Sequence, residues 1–216
     1  MRVSMSRYVT KYHKQLYSPL SITLYLPEKF SIIGKLFSKF HIPLTCTLPL
    51  ATIHLECIYS PDQILSDEVV PAIFSDCKTE GIPIWATGAS IGAFHAVAVT
   101  CRFPDLFHRA LGMSGTYDIL RFIEANRPSD EFFVCSPVHF LPTLSGPHLE
   151  ALQQRFILLA SGDGRAEDMG ETWAMAHALG SKGVPNRVDP WGPDWNHDWT
   201  TWREMLPRYM DDWTRT

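Results

Sequence analysis

Ile82-Pro83-Ile84-Trp85-Ala86-Thr87-Gly88-Ala89-Ser90-Ile91-Gly92-Ala93-Phe94-His95-Ala96-Val97-Ala98 runs from an apolar stretch through a glycine-flanked serine into small, helix-compatible residues. A strand that turns sharply into a helix forces a strained backbone on the residue at the corner. Glycines two positions to either side let the two elements approach without side-chain collision. The serine hydroxyl is thereby pushed into the open. Strain of this kind persists where chemistry needs it, which makes Ser90 the candidate nucleophile; the plainer reading is a loop serine between two structural glycines.

Working outward, Ser66 to Thr79 reads as a helix with Asp67 and Glu68 in its first turn, feeding the strand that ends at Thr87. The helix after Ser90 stops near Phe103-Pro104-Asp105, because proline cannot continue it. Ala110 to Gly115 and Arg155 to Ala160 read as buried strands. A helix from Met169 to Lys182 is closed by Gly183, Pro185 to Trp191 forms a short last strand, and Trp199 to Met210 is a final helix capped by Asp198. Strands alternating with helices of this length need crossover connections. The expected fold class is therefore α/β, a mostly parallel central sheet with helices on both faces.

In such sheets active groups gather beyond the carboxyl ends of the strands, so a base and an acid should each follow a strand downstream of Ser90. A serine hydroxyl is a weak nucleophile until a neutral imidazole accepts its proton. Of nine histidines, His197 lies in the loop Gly192 to Asp198 between the last strand and the last helix, where that base belongs. His95 and His177 fall within helices, His108 follows the nucleophile helix, and His13, His41 and His54 precede the serine. These read as surface or satisfied core histidines. The acid should come from the loop after Ala160, which supplies Asp163, Glu167 and Asp168. Asp168 is the first choice, with Glu167 as the alternative; Asp163 sits in a Gly-Asp-Gly turn, and Asp168 has a competing reading as a helix cap. Trp195, Trp199 and Trp202 flank His197 and read as packing for the last helix.

The chain has 216 residues, 45% hydrophobic and 19% charged, and a net charge of −4. One globular domain spanning 1–216 is expected. The charge balance and the lack of a basic cluster argue against nucleic acid or a membrane surface as partner, and favour a small molecule. Five cysteines without C-x-x-C spacing suggest neither a disulfide framework nor a zinc site. With no apolar leader and no run of 18 apolar residues, a cytoplasmic protein is the default expectation.

Ser66 to Trp213 resembles the esterase family of the α/β-hydrolase fold that includes esterase D, enterochelin esterase and the mycolyltransferases. The matching stretches are Trp85 to Ala93, Arg102 to Phe107, Met113-Ser114-Gly115-Thr116-Tyr117-Asp118, and His197-Asp198-Trp199-Thr200-Thr201-Trp202-Arg203. Tyr12 to Pro19 is similar to the opening of such esterases. The resemblance implies Ser90 as nucleophile, His197 as general base, an acid at Asp168 or Glu167, hydrolysis of a carboxylic ester through an acyl-enzyme, and no metal or organic cofactor. The same intermediate serves acyl transfer to an acceptor other than water.

The segment from 20 to 65 departs from the family and looks shortened. Stabilising an oxyanion takes two backbone N–H groups, one from the residue after the nucleophile, here Ile91. Relatives place the second on a small-residue loop after an early strand, whereas no glycine occurs between Gly34 and Gly81 and Ile42 to Leu50 carries prolines, which lack the N–H. Thr52 to Ile58 alternates like a strand but no hole-forming loop follows. An altered reading frame, or a catalytically impaired relative that uses the cleft for binding, would each produce this pattern.

Overall fold

Ile157-Leu158-Leu159-Ala160 shows no polar alternation because both of its faces are covered: Ile157 and Leu159 pack to one side of the sheet, Leu158 and Ala160 to the other. The structure, a computed structural model, describes residues 23–25, 70–77, 81, 83–120, 133 and 135–214. In chain order its elements are β1 (Thr23–Tyr25), α1 (Val70–Cys77), β2 (Ile84–Ala89), α2 (Ile91–Arg102), β3 (Phe107–Met113), α3 (Pro137–Phe140), a 3-10 turn (Leu141–Thr143), α4 (Gly146–Leu152), β4 (Phe156–Gly162), α5 (Met169–Ser181), β5 (Asn186–Gly192) and α6 (Trp199–Thr214). The strands lie side by side in the order β1-β2-β3-β4-β5. β2 to β5 are parallel, in register Ala89 with Met113, Met113 with Ala160, and Ala160 with Asp189; β1 pairs antiparallel with β2.

One core forms where α2 and α5 cover the sheet: Ala93, Val97 and Cys101 meet Ala110, Ile157, Leu159, Met175 and Leu179. The opposite face buries Trp85, Leu111, Met113 and Leu158 under Met205, Tyr209, Met210 and Trp213 of α6. The expected parallel α/β architecture is the one observed. Differences sit at the element ends. β3 begins at Phe107 and stops at Met113, because Ser114 leaves the strand for a left-handed conformation with φ 47°. α6 continues to Thr214 through Pro207, four residues past the expected end at Met210. Met205, Tyr209 and Trp213 recur at i, i+4 and i+8 and are all buried, so packing of that stripe outweighs the hydrogen bond proline omits.

α3, the 3-10 turn and α4 were not anticipated, although Ser136-Pro137 and Ser145-Gly146-Pro147 place proline in the first helical turn. The expected helix from Ser66 to Thr79 is seen over Val70–Cys77, its flanks lying outside the described residues. Tyr12 to Pro19, Thr52 to Ile58 and, apart from β1, the whole segment from 20 to 65 also lie outside them. Cys101 and Cys135 are buried. No described helix is long and apolar enough to cross a membrane.

Candidate active site

Ser90 sits between β2 and α2 with φ 57° and ψ −122°, a backbone that residues with a Cβ rarely adopt. Its amide donates to Met113 O at 2.9 Å, which fastens the corner to β3. Although it stands at the cap position of α2, its hydroxyl makes no capping hydrogen bond and is left for other use. A Cβ at Gly88 would lie 2.1 Å from Gly92 O, so β2 and α2 approach too closely there for any other residue. Gly92 is different. A Cβ on it would meet nothing among the described residues within 4 Å, and the steric demand therefore falls on Gly88.

The Ser90 hydroxyl faces His197 Nε2 at 2.9 Å, across 107 residues of sequence. His197 is held by the loop after β4, to which its own loop is joined by four hydrogen bonds. Asp163 N donates to Gly192 O, Gly164 N to Trp195 O, Arg165 N to the Asn196 side chain, and His197 N to Arg165 O. The two loops touch so tightly that a Cβ at Gly162 or Gly164 would lie 2.1 or 2.6 Å from the facing loop. The Trp202 ring stands edge-on to the imidazole, with centroids 5.2 Å apart.

Behind the imidazole, Nδ1 faces Glu167 Oε2 at 3.4 Å. That distance is longer than a relaxed hydrogen bond, as is common before substrate binds. The Glu167 side chain is buried, with 1% of it exposed. Asp168, the first choice from the sequence, is not the residue brought to His197: its Oδ1 accepts from Gly170 N and Glu171 N and caps α5. The reason is the turn that precedes them. Glu167 N donates to Gly164 O and Ala166 holds φ 63°, a left-handed residue that swings Glu167 inward and leaves Asp168 at the helix start. Asp163 is exposed.

Two residues to which the sequence reading gave no such part complete the surroundings. Ser114, 2% exposed, donates its hydroxyl to Glu167 Oε1 at 2.6 Å and accepts from Trp202 Nε1 at 2.9 Å. Ser161 Oγ lies within hydrogen-bond distance of both Gly162 O, at 3.1 Å, and Glu167 Oε2, at 3.2 Å. Met113-Ser114-Gly115 was visible as a matching stretch, but nothing local tells which hydroxyl reaches an acid 53 residues away. Ile91 opens α2, so its N–H belongs to the first turn and has no carbonyl four residues back to bind. The segment from which a second oxyanion donor was sought, Ile42 to Leu50, lies outside the described residues. His95, half-buried on α2, is pulled by burial from 6.5 down to about 4 and stays neutral in ordinary buffers. His139 and His148 bind Ser136 Oγ and Cys101 O respectively.

Four parallel strands with helices on both faces, and a left-handed serine at the carboxyl end of one of them, define the α/β-hydrolase fold. The chain belongs to the esterase family: the family model described as "Putative esterase" matches residues 56–212. No curated protein sequence matches it. Among solved structures it is similar to a ferulic acid esterase, 20% identical over 71% of this chain and 60% of that one, with a TM-score of 0.54. It is likewise similar to the enterobactin esterase FES from Shigella flexneri, 17% identical over 78% of this chain and 42% of that one, with a TM-score of 0.53. The chain thus spans three-fifths or less of the length of these two structures, and the likeness to them is one of fold.

Proposed function

We propose that the protein is a serine esterase that hydrolyses a carboxylic ester through an acyl-enzyme on Ser90, with His197 as general base and Glu167 as the acid that orients it. The observation that carries this reading is the 2.9 Å approach of His197 Nε2 to the hydroxyl of a serine on a left-handed strand-to-helix turn. Membership of the esterase family supports an ester as the bond cleaved.

In the first step His197 Nε2 takes the Ser90 proton as Oγ attacks the carbonyl carbon, and the carbonyl oxygen gains the charge, facing the Ile91 N–H. Collapse of that intermediate expels the alcohol, which leaves with the proton from Nε2. Water then repeats the sequence on the acyl-enzyme, giving the acid and the free serine. Through both steps Glu167 stays ionised and stabilises the imidazolium without taking its proton.

The test is covalent labelling of the intact protein with a fluorophosphonate, read by mass spectrometry of the Ser90 peptide, beside turnover of a chromogenic short-chain ester. Rapid single-site labelling and turnover are expected, both abolished in Ser90→Ala with a thermal midpoint unchanged or raised, since relieving the turn removes no core packing. Folded protein that neither labels nor turns over would overturn the reading and favour a binding role for the cleft.

A further inference from the structure

The catalytic geometry leaves one question of chemistry open: what makes His197 carry its proton on Nδ1, so that Nε2 is free to accept from Ser90. Ser114, itself bonded by Trp202, and Ser161 lie against Glu167 behind the imidazole and bear on the answer. An indole N–H can only donate, because the nitrogen lone pair belongs to the ring. Trp202 Nε1 therefore donates to Ser114 Oγ, and the single Ser114 proton is left to point at Glu167 Oε1, 2.6 Å away. Ser161 Oγ lies 3.2 Å from the other oxygen and 3.1 Å from Gly162 O, and its single proton serves either acceptor. A carboxylate has only lone pairs to offer, so while Glu167 is held behind the imidazole Nδ1 must bring the proton to that contact.

We propose that Trp202 and Ser114 are positioning residues that hold His197 in this tautomer: the indole N–H turns the Ser114 proton onto Glu167 Oε1, and that bond keeps the carboxylate, with its Oε2, against Nδ1. Trp202 acts twice, since its ring also stands edge-on to the His197 ring and limits its rotation. The left-handed backbone of Ser114, at φ 47°, is part of the device. Its amide donates to Ala160 O at 2.7 Å, so β3 ends against β4 with the hydroxyl aimed into the space behind the imidazole. The consequence for turnover rests on the esterase reading above; the tautomer does not.

The experiment is a long-range proton–nitrogen correlation of the imidazole nitrogens in the full chain, at about pH 8, above the ordinary imidazole range. His197→Gln identifies the His197 signals. Protonated Nδ1 and unprotonated Nε2 are expected in the unsubstituted protein, and a mixture of tautomers in Ser114→Ala and Trp202→Phe. With the ester substrate, kcat should fall about tenfold to a hundredfold in Ser114→Ala, from misplacement of the base, and about threefold to tenfold in Trp202→Phe, with KM unchanged in both. Trp202→Phe keeps a ring against His197 and bears the test where Ser114→Ala does not fold. A proton on Nε2 in the unsubstituted protein overturns the proposal, as does retention of both tautomer and kcat in the variants. The expected tautomers without ester turnover in any form would support the relay and overturn the esterase reading instead.

Discussion

Glu167 and Asp168 are adjacent carboxylates with different surroundings, and their surroundings separate their chemistry. Glu167 Oε1 accepts from the Ser114 hydroxyl and Oε2 faces His197 Nδ1, whereas Asp168 Oδ1 is engaged by two amides of α5. Glu167→Gln turns one oxygen into an NH2 group that faces a donor, spoiling either the serine contact or the imidazole contact. It should lower kcat by about a thousandfold to ten-thousandfold, the range seen when the acid of such a triad is lost. Asn caps helices as well as Asp, so Asp168→Asn should leave turnover within about threefold. Steady-state hydrolysis of a chromogenic ester checks both. The opposite ranking would give the acid's role to Asp168.

At the scale of elements, the site depends on how closely β2 and α2 meet. Gly88→Ala puts a methyl group 2.1 Å from a backbone carbonyl, and backbone, unlike the end of a long side chain, cannot swing aside. Strand and helix must separate, which carries Ser90 away from His197. The variant is expected to lose about 2–4 kcal/mol of stability by urea unfolding and to lose fluorophosphonate labelling even where it remains folded. Unchanged stability would mean that the corner opens without cost, and that the close approach seen at Gly88 does not constrain the nucleophile.

For the molecule as a whole, pH is the lever that the half-buried histidines provide. Burial lowers the His95 imidazole to about 4, and burial together with the neighbouring Arg155 charge lowers His108. The unfolded chain takes up these protons near 6.5, the folded chain only further down, so the unfolded state binds more protons in between. Stability should therefore be unaffected by these groups above 6.5 and fall as pH drops from 6.5 toward about 4. Thermal midpoints measured across that window should decline, and His95→Gln should flatten the decline. A slope identical in the variant would show that His95 titrates freely in the folded state.

The sequence by itself determined the order of strands and helices from Val70 onward, the short α3, 3-10 turn and α4 excepted, together with the corner serine and the histidine after the last strand. These are local signals: doubly buried strands are uniformly apolar, proline and glycine punctuate helices, and a strand-to-helix serine turn is written within five residues. It also carried the family resemblance that the match over residues 56–212 bears out. Only the tertiary structure decided which carboxylate lies behind His197. The choice turns on a left-handed alanine at position 166, for which no residue-type signal exists, and on Ser114 reaching across from a neighbouring strand. Trp202 was legible as helix packing but not as a hydrogen-bond donor to Ser114. A side chain's packing face follows from its periodicity, whereas its polar partner is set by how two strands and a helix, 88 residues apart in sequence, come to rest against one another.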